Sequence, residues 1–191
     1  WAESNSLEPY NSFGNGSAMR VSPIGYIYDT VEETLRVARK SAQVTHNHIE
    51  GIKGAEATAL AVYLARKGHS KEEIKEEIET RFFYDLNRSI KDIRDSGYTF
   101  DVTCQGSVPE AIIAFLQSYD YEDAIRKSIY LGGDADTQAC ITGAIAEAYY
   151  KEVPVELMNY AFNKLRPEYA TIVAKFYDKY NVPTEFIQYK K

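Results

Sequence analysis

From Thr30 onward apolar side chains return about every 3.6 positions. Val31, Leu35, Ala38 and Ala42 follow the capping pair Asp29 and Thr30, and predict a helix over about 30–45. A second helix is expected over about 50–67, where Ile52, Ala55, Ala59, Leu60, Tyr63 and Leu64 share a face and Gly68 is the natural stop. Ser70 stands three residues before Glu73, the spacing of a capping box, and Ile74, Ile78 and Phe82 give that helix a buried stripe to about 83. Between 84 and 107 the periodicity is weak, and short helical turns joined by loop are expected. Pro109 suits the first turn of a helix carrying Ala111, Ile112, Phe115 and Leu116, and Asp120 caps one over about 121–130. Gly132 and Gly133 end it. Asp134 to Thr137 then opens a helix to about 150 whose small residues Ala139, Gly143, Ala144 and Ala146 permit close packing at the centre of the fold. Pro154 and Pro167 start helices over about 154–163 and 167–180, and Pro183 leads a polar tail. Neither β-alternation nor an internal repeat is present, so the predicted class is all-α.

The chain has 191 residues, 45% of them apolar and 26% charged, which suits one cored domain spanning 1–191 and excludes a disordered tail. A net charge of −6 has the wrong sign for general binding to phosphate backbones. The longest apolar run, Ala59 to Ala65, is far short of the roughly 20 residues of a membrane-spanning helix. Cys104 and Cys140 make no disulfide framework, and the first residues are polar rather than a signal peptide, so a cytoplasmic location is expected. The chain begins at Trp1 rather than Met, and residues upstream of it are expected to be missing.

Two segments could carry chemistry. Gly132-Gly133-Asp134-Ala135-Asp136-Thr137 puts two carboxylates and a hydroxyl at a glycine turn into a helix. These hard oxygen donors suit Mg²⁺, Ca²⁺ or Mn²⁺ rather than Zn²⁺. The same residues are ordinary helix caps, so spacing alone leaves capping and metal binding both open. Three donors also do not fill a roughly six-coordinate Mg²⁺ shell. In the second segment, Asn11 to Arg20, Gly14 and Gly16 allow positive φ and expose amides. With the Ser12 and Ser17 hydroxyls and the Asn15 amide, they would make a concavity for a diphosphate, or simply a tight turn into a helix. Phe13 sits inside that loop. His46 and His48 fall between two helices, where they either face a cleft or cap carbonyls, and they lack the third ligand of a zinc site. A nucleophile elbow is missing from the sequence, which discounts acyl transfer.

Four segments taken in order, Ser12-Phe13-Gly14-Asn15-Gly16-Ser17-Ala18-Met19-Arg20, Thr45-His46, Ser107-Val108-Pro109-Glu110-Ala111 and Gly132 to Thr137, resemble the ADP-ribosylglycohydrolase family over about 10–160. The resemblance implies an orthogonally packed multi-helix bundle with a dinuclear Mg²⁺ centre that hydrolyses the bond between ADP-ribose and its acceptor. It implies that Asp134, Asp136 and Thr137 are metal ligands. It also implies that Ser12, Phe13, Gly14, Asn15, Gly16 and His46 line the ADP-ribose. That family carries Gly-Asp-x-x-Gly and Thr-Asp-Asp elements upstream of the glycine loop, with the other metal ligands and, in several members, an acidic catalytic residue. This sequence has neither. The expectation is therefore a partial domain whose catalytic acid or base lies elsewhere and whose partners are an ADP-ribosylated substrate and either the missing segment or a second copy. A non-catalytic ADP-ribose-binding or crystallin-like member of the same fold is the alternative.

Overall fold

The computed structural model describes residues 8–182, and within them the chain is all helix and loop. Two short helices, α1 (Gly16–Met19) and α2 (Ser22–Ile27), precede α3 (Val31–Gln43), α4 (Ile49–Lys67) and α5 (Lys71–Phe82). Then come α6 (Ile90–Asp95), α7 (Cys104–Leu116), α8 (Tyr121–Leu131), α9 (Ala135–Tyr150), α10 (Val155–Lys164) and α11 (Pro167–Tyr180). The expected caps are in place: Thr30 accepts the Glu33 amide, Ser70 and Glu73 form the reciprocal box, and Asp120 accepts the Asp123 amide. Gly68 and Gly132 close α4 and α8 in the left-handed conformation, at φ 87° and 81°.

One expectation shifts and another is made specific. The helix assigned to Pro109 begins five residues earlier at Cys104, because Thr103 caps it by accepting the Gly106 amide, and Pro109 lies inside it. The weakly periodic stretch contains a defined helix, α6, held by a second capping box between Ser89 and Asp92.

α4 is the helix buried on nearly every side, from Gly51 through Ala65 with few breaks, and α9 packs against it rather than being the more enclosed of the two. α1, α2, α3, α5, α7 and α9 all lie against α4. Glycines allow the closest approaches: a Cβ on Gly54 would sit 2.5 Å from the Cys104 sulfur, and one on Gly25 2.6 Å from Val62 Cγ1. Leu60, Ile74, Ile78, Ile112, Ile113, Phe115, Ile141 and Ile145 fill the core. α11 buries none of its own residues. It is tied to the body by the Tyr177 hydroxyl, which donates to Glu147 at 2.8 Å, and by Phe176 edge-on to Tyr26. Among the described residues no helix is long and apolar enough to cross a membrane.

Candidate functional site

Residues 11–15 lead into α1 beside the strand-like stretch before α7. Gly14 pairs with Thr103 in one antiparallel bridge, in which Asn15 N donates to Val102 O at 2.8 Å and Cys104 N donates to Phe13 O at 2.9 Å. The Ser12 hydroxyl turns back to accept the Gly14 amide at 3.1 Å. Two amides expected to be free for an anion are thus already used. Neither Gly14 nor Gly16 adopts positive φ, contrary to the sequence expectation. Gly14 is the more tightly packed of the two. A Cβ on Gly14 would lie 3.3 Å from Ser12 Oγ, and the same atom on Gly16 would lie 3.4 Å from His46 Nε2. The Ser17 hydroxyl is also turned away from any ligand, since Ser17 is buried and donates to Gly51 O at 2.7 Å.

Asn15 joins the two candidate segments. Its buried side-chain amide donates to Asp134 Oδ2 at 2.8 Å and to Ser107 Oγ at 3.1 Å, so the glycine loop, the start of α7 and the acidic turn meet at one residue. Ser107 passes its own proton to Thr103 O at 2.6 Å. Asp134 occupies the N-cap position of α9 yet makes no side-chain capping bond, at φ −72° and ψ 76°. Its carboxylate, only 8% exposed, is instead turned toward Asn15. Asp136 is exposed. A hydrogen bond with the Asp134 carboxyl and the Thr137 amide at 3.0 Å hold it below the usual carboxylate range. Thr137 is buried, with its hydroxyl on Met19 Sδ at 3.7 Å. The three oxygen donors therefore sit on one turn. Among the described residues, however, no three His, Cys, Asp or Glu side chains come together as a metal cluster.

The acidic turn is fastened from behind. Gln138 Nε2 donates to the Tyr98 hydroxyl at 2.7 Å, and Tyr98 donates to Gly106 O at 2.8 Å. Gly133 fits between them, because a Cβ there would lie 2.7 Å from the Tyr98 ring and 2.8 Å from Gln138 Oε1. On the other side, Cys140 Sγ donates to Met19 O. Cys104, buried under the loop with its thiol on Gly14 O at 3.1 Å, is pushed up to about 11 by desolvation and is inert packing.

His46 is buried, and its Nε2 is the atom nearest to Gly16. Burial first, then the Arg20 charge, holds its pKa below the ordinary value, so the ring is neutral at pH 7. His48 serves as the N-cap of α4 by accepting the Glu50 amide and packs edge-on to Phe13, their ring centroids 5.4 Å apart. Phe13 is 46% exposed, so an apolar ring lies open beside the loop. The structure thus brings Ser12, Phe13, Gly14, Asn15, Gly16 and His46 into one neighbourhood and ties it to Asp134, Asp136 and Thr137 through Asn15. Sequence reasoning had no signal for Tyr98, Gln138 or the Arg20–Thr45 contact described below. Cavities of about 280 and 240 Å³ open elsewhere, between α2, α9 and the α10–α11 hairpin.

Comparison with known proteins bears on this arrangement. A profile described as ADP-ribosylglycohydrolase matches residues 1–183. The chain is 34% identical over 189 residues to the ADP-ribosylhydrolase ARH3 of Bos taurus, which takes in 75% of this chain and 52% of that relative. With the Homo sapiens protein of the same name it shares 34% identity over 183 residues, 73% of this chain and 50% of the relative. An uncharacterized protein of Archaeoglobus fulgidus is 33% identical over 153 residues, 73% of this chain and 50% of its own length. A solved structure titled "ADP-ribosylglycohydrolase-related protein complex" superposes with a TM-score of 0.68 at 26% identity, covering 90% of this chain and 62% of that one. The chain spans about half the length of the curated relatives it matches.

Proposed function

The chain belongs to the ADP-ribosylglycohydrolase family, and from that premise we propose that it holds the ADP-ribose cradle and one arm of the Mg²⁺ centre of an ADP-ribosyl hydrolase. The observation that carries this reading is Asp134. A helix-capping aspartate bonds to the amides of its own first turn. Asp134 makes no such bond and is instead held at the glycine loop by Asn15. A carboxylate placed there for the helix alone would have no reason to be fixed to a loop 119 positions away.

Asp134, Asp136 and Thr137 would hold the metal, and their all-oxygen chemistry matches a hard divalent cation. When bound, Mg²⁺ would orient ribose hydroxyls and lower the pKa of a coordinated water. This chain's own residues do the positioning. The Gly14–Gly16 backbone leaves room beside His46 Nε2 for a phosphate or ribose oxygen, and Phe13 offers its ring to the apolar face of a bound sugar or base. Asn15 keeps the acidic turn in register with that cradle. Hydrolysis would break the bond between ribose C1 and the acceptor. Water supplies the oxygen to C1 and a proton goes to the leaving acceptor, by way of an oxocarbenium-like state. Two adjacent carboxylates on one turn are one side of such a site, so this chain is expected to bind ADP-ribose without turning over a modified acceptor.

A calorimetric titration with ADP-ribose tests the reading. Saturable binding is expected in Mg²⁺, lost in EDTA and weakened at least tenfold in Asp136→Asn. Binding indifferent to both Mg²⁺ and Asp136, or none at all, overturns it.

A further inference from the structure

His46 has two ring nitrogens, and the structure gives them different surroundings. Nε2 faces the glycine loop, within 3.4 Å of where a Cβ on Gly16 would stand and 3.6 Å of the same atom on Gly14. Nδ1 lies 2.7 Å from the Thr45 hydroxyl oxygen. That oxygen is itself bound from outside by Arg20, whose Nη2 donates to it at 2.9 Å. Arg20 is anchored in turn on Ser41 O and Gly16 O, at 3.3 and 3.4 Å.

A hydroxyl has one proton to give and two lone pairs to receive with. Arg20 has only protons to give, so one lone pair of Thr45 Oγ1 is taken by a cation. Nδ1 is the acceptor the protein places within reach of the Thr45 proton, and the guanidinium draws charge from the oxygen in the direction that favours donation. The same cation opposes a second ring proton on His46. We propose that Thr45, polarised by Arg20, fixes the ring proton of His46 on Nε2, so that His46 faces the glycine loop as a neutral hydrogen-bond donor. Thr45 and Arg20 are positioning residues in this scheme, and His46 is the group that touches the ligand. The proposal rests on the ADP-ribose reading only for the identity of the oxygen that receives the proton, which is then a phosphate or ribose oxygen.

The chain has three histidines, so a long-range proton–nitrogen correlation spectrum of protein labelled with ¹⁵N-histidine resolves each ring. Without ligand at pH 7.5, His46 is expected to show a protonated Nε2 and an unprotonated Nδ1. Thr45→Ser should retain that pattern, and Thr45→Val should shift it toward a mixture of tautomers. A wild-type ring protonated on Nδ1 overturns the proposal, as does a Thr45→Val ring unchanged from wild type. A Thr45→Val chain that fails to fold does not shield the idea, because a ring protonated on Nδ1 in the wild type or in Thr45→Ser overturns it without that variant. Adding ADP-ribose with Mg²⁺ should move the Nε2 proton resonance, and Thr45→Val should weaken binding about tenfold, the effect of one hydrogen bond to a charged oxygen. Binding that leaves the Nε2 resonance in place overturns the donor role. If ADP-ribose does not bind, the functional reading falls while the tautomer measurement still decides the proton's position.

Discussion

The burial of His46 has a stability consequence that can be read without any ligand. In the folded chain its pKa is held below the ordinary value, whereas unfolding returns the ring to about 6.5. The unfolded state therefore takes up a proton first as the pH falls, and stability drops with acidification below about 6.5. Urea unfolding between pH 5 and 7.5 should show this slope in the wild type and a shallower one in His46→Gln. Equal slopes would mean that the ring is solvated in the folded state. By spacing alone the acidic pair and the glycines read equally well as helix caps and a tight turn; they were legible because their segments resemble those of the family in order. The partners that give them meaning were not. Asn15 reads as a turn former, and its bond to Asp134 spans 119 positions, a separation at which sequence patterning is silent. Positive φ was expected at Gly14 and Gly16, yet neither adopts it; Gly14 lies tight against Ser12, while a Cβ on Gly16 would meet His46 at ordinary contact distance.

Helices announced themselves wherever a stripe and a cap coincided, as for α3, α5 and α8. α7 was misplaced because Pro109 is the more familiar start signal, whereas the structure begins that helix at the quieter Thr103. α6 was expected only as one of several unplaced short helical turns, since its six residues are too few to show a period and its box uses Asp92 where Glu or Gln is usual. The α4–α7 crossing shows how a single atom governs two elements. Gly54→Ala would drive a methyl to 2.5 Å from the Cys104 sulfur and 2.9 Å from its Cβ, so one helix must shift. Overpacking of this kind costs about 1–3 kcal/mol. Chemical denaturation should show that loss, and the companion change Cys104→Gly with Gly54→Ala should return part of it. A Gly54→Ala chain as stable as wild type would mean the two helices can slide apart freely.

At the scale of the whole molecule, large apolar residues lie open on several faces: Phe83, Tyr119, Ile49, Phe100 and Ile172 are each more than 60% exposed. Side chains scattered singly in this way are ordinary at a protein surface, and only a contiguous patch marks an interface. The chain spans about half of its relatives' length, and we propose that it associates in isolation, either with itself or with a separate segment. Multi-angle light scattering should report a mass above 21.7 kDa that falls on dilution, and a monomer at all concentrations would refute this. The Asn15–Asp134 bond has a kinetic meaning as well. Closing so long a stretch of chain carries an entropic cost that only the assembled helices between can offset, and contacts of such separation form slowly. A nascent chain with α3 to α5 already docked would still lack the union of loop and acidic turn. On the function proposed above, ADP-ribose would select the fully folded chain from partly folded forms, and its capture would mark the end of folding rather than a step along the way.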